Sequence, residues 1–522
     1  MLAAASDQGL VFNPAIHGVV MRRKYQWRDS NPFSVAHSGR LKFGPRELAD
    51  LGKQVVGRIV LPQDPSYNSD RESFMSAFQH FPQIIVFCAG PSDVVACLRF
   101  AKENGLHVVC RAGGHSTAGF SVNDEMVLDV SGLSYVTVDQ ARHTAAIGAG
   151  TEFGQVNAEL DLYGLHLPGG GCETVCVAGY MQGGGYSFTS LMFGMNCDQV
   201  LGVQLARADG QIVTANAEEY DDLFWAVRGG TGNNFGVVLE IEYNVRQLGP
   251  LWGFGFKWPL TTLKETDAAA RAAATWQHSF SGANVPAHLG NQALLVHTQD
   301  AKDKALVPYF VVRGMFNGSE AECREALEPL LSLPHAEIRR DVWRQGSYRD
   351  LNDYLLNFPT ELPADVPASA RSLARSHIVD RHLTTEEWGR IVELYRASPN
   401  TNNFIGLEAY GGAINEIAPD ATAYWHRRAT TDIFLFAFWM YERDRDVATS
   451  YMTEFDRVVA PLANGYSYQN YPNRDDLDFG RRYFGGNLER LIQVKRKYDP
   501  DDLFHFPQGL LRAPHVSRSG VV

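Results

Sequence analysis

The stretch from Leu167 to Ser187, LPGGGCETVCVAGYMQGGGYS, constrains this chain more than any other. It sets Cys172 inside a glycine run, follows it with Thr174 and Val175, and ends on three consecutive glycines before Tyr186. Glycines at this density open backbone conformations closed to other residues and allow close approach to a ligand. Cys172 would then meet a large flat cofactor with no side chain between. A surface loop with a buried thiol fits the same composition, so this stretch alone leaves both readings open.

A second stretch lies upstream, VVCRAGGHSTAGF at 108–120. An apolar strand over 106–110 runs into Arg111, two glycines, His115 and Ser116. Small residues free backbone N–H groups to form an anion-binding concavity, and Arg111 would add positive charge. A lone histidine is ordinarily structural. A histidine and a cysteine that both sit in glycine-rich loops are a rarer combination, and together they point to a cofactor.

At these residues the chain resembles a family. R-A-G-G-H-S, 111–116, is similar to the histidyl attachment loop of the berberine bridge enzyme-like flavoproteins of the vanillyl-alcohol oxidase superfamily. G-G-G-C-E-T-V, 169–175, is similar to their cysteinyl loop. In that family both residues bond to one FAD, at the 8-methyl and 6-positions of the flavin. The resemblance implies FAD attached covalently through His115 and Cys172, with Arg111, Gly113, Gly114, Ser116, Gly171, Thr174, Gly179 and Gly184 in the cofactor-binding loops. D-L-F-W-A-V-R-G-G at 222–230 and F-G-V-V at 235–238 resemble the run that closes the adenine side, which brings in Val238. Y-Q-N-Y at 468–471, Y-F-G-G-N at 483–487 and the runs through Pro500 resemble the family's C-terminal signature, which adds Tyr483 and Asn487. The likeness covers about residues 46 to 511.

The implied fold is α+β, a two-domain flavoprotein of the vanillyl-alcohol oxidase/PCMH type. Residues 1–45 would be an N-terminal extension and 46–249 the FAD-binding domain. Residues 250–464 would form a substrate domain, an antiparallel sheet with helices on one face, and 465–522 would return to the FAD domain. Local patterns agree. Ile84 to Cys88 reads as a buried strand, and Ser92 as the cap of a helix reaching Asn104. Further strands are expected at 127–130, 144–148, 198–207 and 306–316, and helices at 153–163 and 320–331. G-x-G-x-x-x-G at 148–154 is one residue too long for a dinucleotide fingerprint. Seven of nine tryptophans fall at 252–439, chiefly as core. Prolines at 359, 363 and 367 mark a loop.

Bulk properties narrow the function. The 522 residues, 45% hydrophobic and 20% charged, suffice for two cores. A net charge of −12 argues against nucleic acid and anionic membrane surfaces as partners. No window has the length of a membrane span. The start MLAAASDQGLV lacks the features of a secretory signal, which leaves secreted and intracellular locations both open. Seven cysteines in this length do not make a disulfide scaffold, and no second Cys/His pair completes a zinc site with Cys172 and Cys176, so no metal is expected. The remaining cysteines read as buried thiols. Asn317-Gly318-Ser319 is a glycosylation sequon or a plain Asn-Gly turn. A small-molecule substrate and dioxygen are the expected partners, with the chain a monomer or a dimer.

A flavin oxidises an alcohol by taking hydride while a base removes the hydroxyl proton. In relatives that base is the second tyrosine of Y-x-N-Y, here Tyr471. An acidic residue three before a Gly-Gly pair assists in carbohydrate-oxidising relatives, and Glu408 stands there before Gly411-Gly412. A solvated or ion-paired strand carboxylate is the competing reading for Glu408. Tyr186 is the rival tyrosine. Where many relatives carry Gln or Glu after a His-Arg pair, this chain has Phe434, with Asp432 two residues earlier; Tyr186, Asp432 and Phe434 are the expected substrate contacts. Cys176 replaces a usual glycine. The residue three after the cysteine gates oxygen in relatives, with valine in oxidases and leucine in dehydrogenases, and here it is Val175. The resemblance therefore points to a bicovalent FAD oxidase of alcohols, first of the anomeric hydroxyl of a mono- or oligosaccharide, giving a lactone and hydrogen peroxide. An oxidase of a phenolic alcohol or secondary metabolite is the alternative, as is a dehydrogenase with a non-oxygen acceptor. A non-catalytic sugar-binding protein would lack the yellow cofactor.

Overall fold

A computed structural model describes residues 41–249, 251–299, 305–334, 337–356, 371–439 and 441–512. Nearly all of the N-terminal stretch 1–45, Pro250 and the proline loop at 359–367 lie outside these residues.

The apolar run Ile84–Phe87 becomes a central strand because nothing in it can face water. It pairs in parallel with Met126–Asp129, which pairs in parallel with Val108–Arg111, and Arg58–Val60 closes the other edge antiparallel. The helix that follows starts two residues earlier than its sequence suggests. Pro91 takes the first turn after Gly90, where its fixed φ and missing N–H cost nothing, and the helix runs Pro91–Glu103. Asp93, placed inside that first turn and fully buried, instead collects the N–H groups of Val56, Gly57 and Ala89.

A second sheet of five antiparallel strands follows, in the order Val136–Asp139, Thr144–Gly148, Val237–Asn244, Val200–Ala206, Ile212–Asn216. The helix Phe153–Asp161 leads from it into the cysteine stretch.

Beyond residue 250 the chain builds an antiparallel sheet of eight strands. Its spine runs Leu251–Pro259, Leu306–Asn317, Leu289–Gln299, Phe404–Ala409, Thr431–Trp439, Arg371–Val379. Strand Thr431–Trp439 shows why the sheet must be covered on both sides, since all nine of its residues are buried. Ile433, Leu435, Ala437 and Trp439 join the main core, toward the helices Leu263–Phe280, Thr385–Arg396 and Arg445–Val459. Phe434, Phe436 and Phe438 point the other way and form a separate cluster with Phe404, Leu294 and Tyr471. The two-residue side-chain period of a strand makes this division. The expected helix at 320–331 is two, Glu320–Ala326 and Glu328–Leu331, because Pro329 starts a new turn; Ser319 caps the first with Glu322, so Asn317-Gly318 is the turn into it.

The C-terminal segment returns to the first sheet. Val108 N–H donates to Leu503 O, and Lys495, itself fully buried, pairs with Asp499 at 2.6 Å and donates to Phe504 O. On the way back, residues 467–471 pass over the inner face of the eight-stranded sheet.

Candidate active site

Between the glycine loops and that inner face lies a deep cavity of about 420 Å³. The two loops form its floor by packing backbone to backbone. A Cβ on Gly113 would stand 2.9 Å from Thr174 O and 3.0 Å from Cys176 Sγ, so only glycine lets the histidine loop settle on the cysteine loop. Gly184, at φ +106°, lies under the ring of Tyr424, and any side chain there would collide with it. Tyr468 then fixes the end of the triple glycine, its hydroxyl oxygen accepting the N–H groups of Gly185 and Tyr186.

His115 and Cys172 come together through one hydroxyl. Thr174 Oγ1 lies 2.9 Å from His115 Nε2 and 3.7 Å from Cys172 Sγ. The imidazole stacks on Phe74, with centroids 4.5 Å apart. It is enclosed by protein yet opens onto the cavity, and loss of water lowers its pKa to about 4, so the ring is neutral. Burial raises the Cys172 thiol.

Opposite this floor, Tyr471 donates its hydroxyl proton to Glu408 Oε1 at 2.6 Å. Burial, reinforced by the nearby Glu408, pushes the phenol well above its ordinary pKa. Burial, then the charge of Asp432, pushes Glu408 well above the carboxylate range. Phe434 lies against the Tyr471 ring at 4.3 Å and fixes its plane. Tyr186 also reaches the cavity, but its hydroxyl proton is spent on Ala409 O at 3.0 Å and Asn291 O at 3.2 Å.

Of the residues named from sequence, Gly113, Gly114, His115, Ser116, Gly171, Cys172, Val175, Gly179, Tyr186, Val238, Glu408, Phe434, Tyr471 and Tyr483 line this cavity. Arg111 does not. Its guanidinium turns away to a buried pair with Asp129 at 2.5 Å and to Glu72 O, so its charge is neutralised inside the first sheet. Thr174 lies behind the wall and acts on it through His115. Gly184 serves loop packing, and Asn487 ties down the carbonyls of Pro419, Thr422 and Ala423. Asp432, expected at the substrate, is fully buried behind Glu408 and takes the hydroxyl of Ser376 at 2.7 Å. None of the described tryptophans lines the cavity, whereas Cys110, expected to be buried, is half-buried and does. Sequence reading missed Phe74, Tyr180, Gln292, Phe404 and Phe436. The Phe434/Phe436 alternation was the available signal for part of this set; Phe74 offered none.

The comparisons with known proteins bear on this geometry. Residues 82–216 match the model of the FAD binding domain, and 467–510 match that of the berberine and berberine-like segment. The chain is 28% identical over 477 residues to the uncharacterized FAD-linked oxidoreductase YgaK of Bacillus subtilis, covering 89% of this chain and 98% of that one. It superimposes on the BBE-like 1 protein of Physcomitrella patens with a TM-score of 0.79 at 27% identity, over 90% of this chain and 100% of that one. Over most of its length the chain is similar to the berberine bridge enzyme-like FAD-linked oxidoreductases. The fold also matches a glucooligosaccharide oxidase of Acremonium strictum, described with a 6-S-cysteinyl, 8α-N1-histidyl FAD, at a TM-score of 0.75 and 22% identity over 88% of this chain and 97% of that one.

The cavity suits an FAD cofactor. It is floored by glycine backbone, and Thr117 Oγ1 and Ser121 Oγ line it as buried polar atoms with no hydrogen-bond partner among the described residues. Such atoms cost free energy unless a bound group satisfies them.

Proposed function

We propose that this protein is an FAD-dependent oxidase of alcohols in which Tyr471, backed by Glu408, takes the substrate's hydroxyl proton. The observation that carries this reading is the 2.6 Å bond from Tyr471 to Glu408 at the cavity wall facing the glycine loops. A phenol is a poor base at neutral pH, with a pKa of about 10, so its own proton needs a destination, and Glu408 Oε1 supplies one.

His115 and Cys172 would hold the flavin by two covalent bonds. In support, Nε2 of His115 is occupied by Thr174, which leaves Nδ1 of a neutral ring for the bond. The bound flavin would accept the hydride of the alcohol carbon and pass both electrons to dioxygen, releasing hydrogen peroxide. Val175 would set the space beside it through which oxygen arrives. The chain's own part is to orient the alcohol, exclude water with the phenyl-lined wall, and move one proton. As the C=O bond forms, the hydroxyl proton goes to Tyr471 Oη while the phenolic proton goes to Glu408 Oε1.

The tyrosine–carboxylate pair favours the anomeric hydroxyl of a mono- or oligosaccharide, with a lactone as product. One observation favours an aromatic alcohol instead: Leu294, Phe404, Phe434 and Phe436 make the wall beside Tyr471 apolar. An aerobic peroxide assay over mono- and oligosaccharides and aromatic alcohols separates the two. Turnover of sugars alone supports the first, turnover of aromatic alcohols alone the second, and no peroxide from any alcohol contradicts the oxidase reading.

A further inference from the structure

Glu408 and Asp432 face one another across adjacent antiparallel strands, Phe404–Ala409 and Thr431–Trp439, in register. Side chains so placed share a face of the sheet, with Cβ atoms about 4.5–5.5 Å apart. Both are buried, Glu408 2% and Asp432 0% exposed. Each has one satisfied oxygen: Tyr471 donates to Glu408 Oε1, and Ser376 donates to Asp432 Oδ1. Each also has one buried oxygen, Oε2 and Oδ2, with no hydrogen-bond partner among the described residues. Ser376 Oγ in turn accepts the N–H of Tyr468, so the segment carrying Tyr471 is tied to both acids. The groups around the pair are the phenols of Tyr471, Tyr186, Tyr410, Tyr468, Tyr180 and Tyr424 and the Ser376 hydroxyl, none of them cationic. Gln292 continues the row on the next strand, and Arg313 follows on the one beyond, its guanidinium on Gln292 Oε1 and Leu355 O. Two buried carboxylates side by side on one face of a sheet disfavour one another's ionisation.

We propose that Glu408 and Asp432 act as one unit, with the proton on Glu408 and the charge on Asp432, so that Asp432 is a positioning residue that draws the proton of Tyr471 through Glu408. The proposal rests on the alcohol-oxidase reading for the incoming proton. Tyr471 Oη takes the substrate's hydroxyl proton and gives its own to Glu408 Oε1, and the proton on Glu408 Oε2 passes to Asp432 Oδ2. One O–H bond forms for each that breaks, no electrons move along this chain, and the pair goes from one negative charge to none. The order of the two acids agrees with their surroundings. Burial raises both, the charge of Asp432 lifts Glu408 further, and the bonds from Ser376 and the backbone of His377 restrain Asp432 to about 7.

The test is an infrared titration of the holoenzyme, following the neutral-carboxylic-acid carbonyl band from neutral to alkaline pH, paired with anaerobic flavin reduction over the same range. The unmutated protein should keep its acid band well into alkaline solution. Asp432→Asn removes the like charge, so the band should titrate at least one pH unit lower. At neutral pH this variant leaves Glu408 protonated with nowhere to pass a proton, so flavin reduction should fall by about 10-fold or more and recover with rising pH as the band disappears. Glu408→Gln, a second variant in case the first does not fold, should slow reduction at every pH and leave only an Asp432 band that titrates near neutrality. Equal band midpoints in the unmutated protein and either variant overturn the pairing, and an unchanged neutral reduction rate in Asp432→Asn overturns the relay. The infrared result needs no substrate, so a failure of the alcohol-oxidase reading leaves it decisive.

Discussion

Arg427 and Asp198 join the two halves of the molecule. The guanidinium, 0% exposed, donates to both carboxylate oxygens, at 2.8 and 2.5 Å, from the approach to the eight-stranded sheet to the turn that follows the cysteine stretch. The attraction lifts the Arg427 pKa even though burial alone would lower it. A planar two-pronged bond of this kind fixes orientation as well as distance, and here it ties the approach to the eight-stranded sheet to the turn beyond the glycine loops.

Removing one member strands the other as a buried charge. Arg427→Met should therefore destabilise the fold by about 3–5 kcal/mol, read as a lowered unfolding midpoint in denaturant. The double variant Arg427→Met/Asp198→Asn should recover part of that loss, because no charge is then left unpaired.

The two attachment residues should be separable. Acid-precipitated unmutated protein should remain yellow, and His115→Ala or Cys172→Ala should each leave one bond to the flavin, seen by mass spectrometry of flavin-bearing peptides. Release of all flavin from the unmutated protein on denaturation would contradict covalent attachment. Thr174→Val keeps the shape but removes the hydroxyl near both residues, and it should slow incorporation of flavin into apoprotein.

Val175 lines the cavity, and one more methylene there would narrow the approach proposed for dioxygen. Val175→Leu should slow reoxidation of the reduced enzyme by about 10-fold or more, a rise of about 1.4 kcal/mol or more in the barrier, and leave reduction by substrate nearly unchanged. Stopped-flow mixing of reduced enzyme with oxygenated buffer measures this, and equal rates would rule out oxygen gating at this position.

Much of the site was legible in the chain because its chemistry is local. The glycine runs around His115 and Cys172 announce a backbone that must come close to something, and Gly113 on Thr174 shows how close. Tyr471 and Glu408 were legible as separate positions. Their pairing came only through the family resemblance, since it joins residues 63 apart through a sheet whose register no short pattern encodes. Register matters for Asp432 too: its partner is set by strand pairing, so it read as a substrate contact when it is a buried neighbour of Glu408. Arg111 misled for a related reason. A positive charge beside an anion-binding loop looks free until Asp129, 18 residues on, returns in the adjacent parallel strand. At Pro91 a local rule overrode another, since proline in the first turn displaced serine as the cap.

Tyr471 as the base is open to direct test. Tyr471→Phe removes only the hydroxyl and keeps the ring against Phe434, so folding and flavin content should be preserved. Tyr186→Phe is the control, because its hydroxyl is committed to two backbone carbonyls. The direct measurement is the rate of anaerobic flavin reduction by the best alcohol substrate in both variants. Tyr471→Phe should be slower by about 10²- to 10⁴-fold, with Tyr186→Phe close to the unmutated rate. Reduction of Tyr471→Phe at the unmutated rate, with Tyr186→Phe slowed, would contradict the assignment.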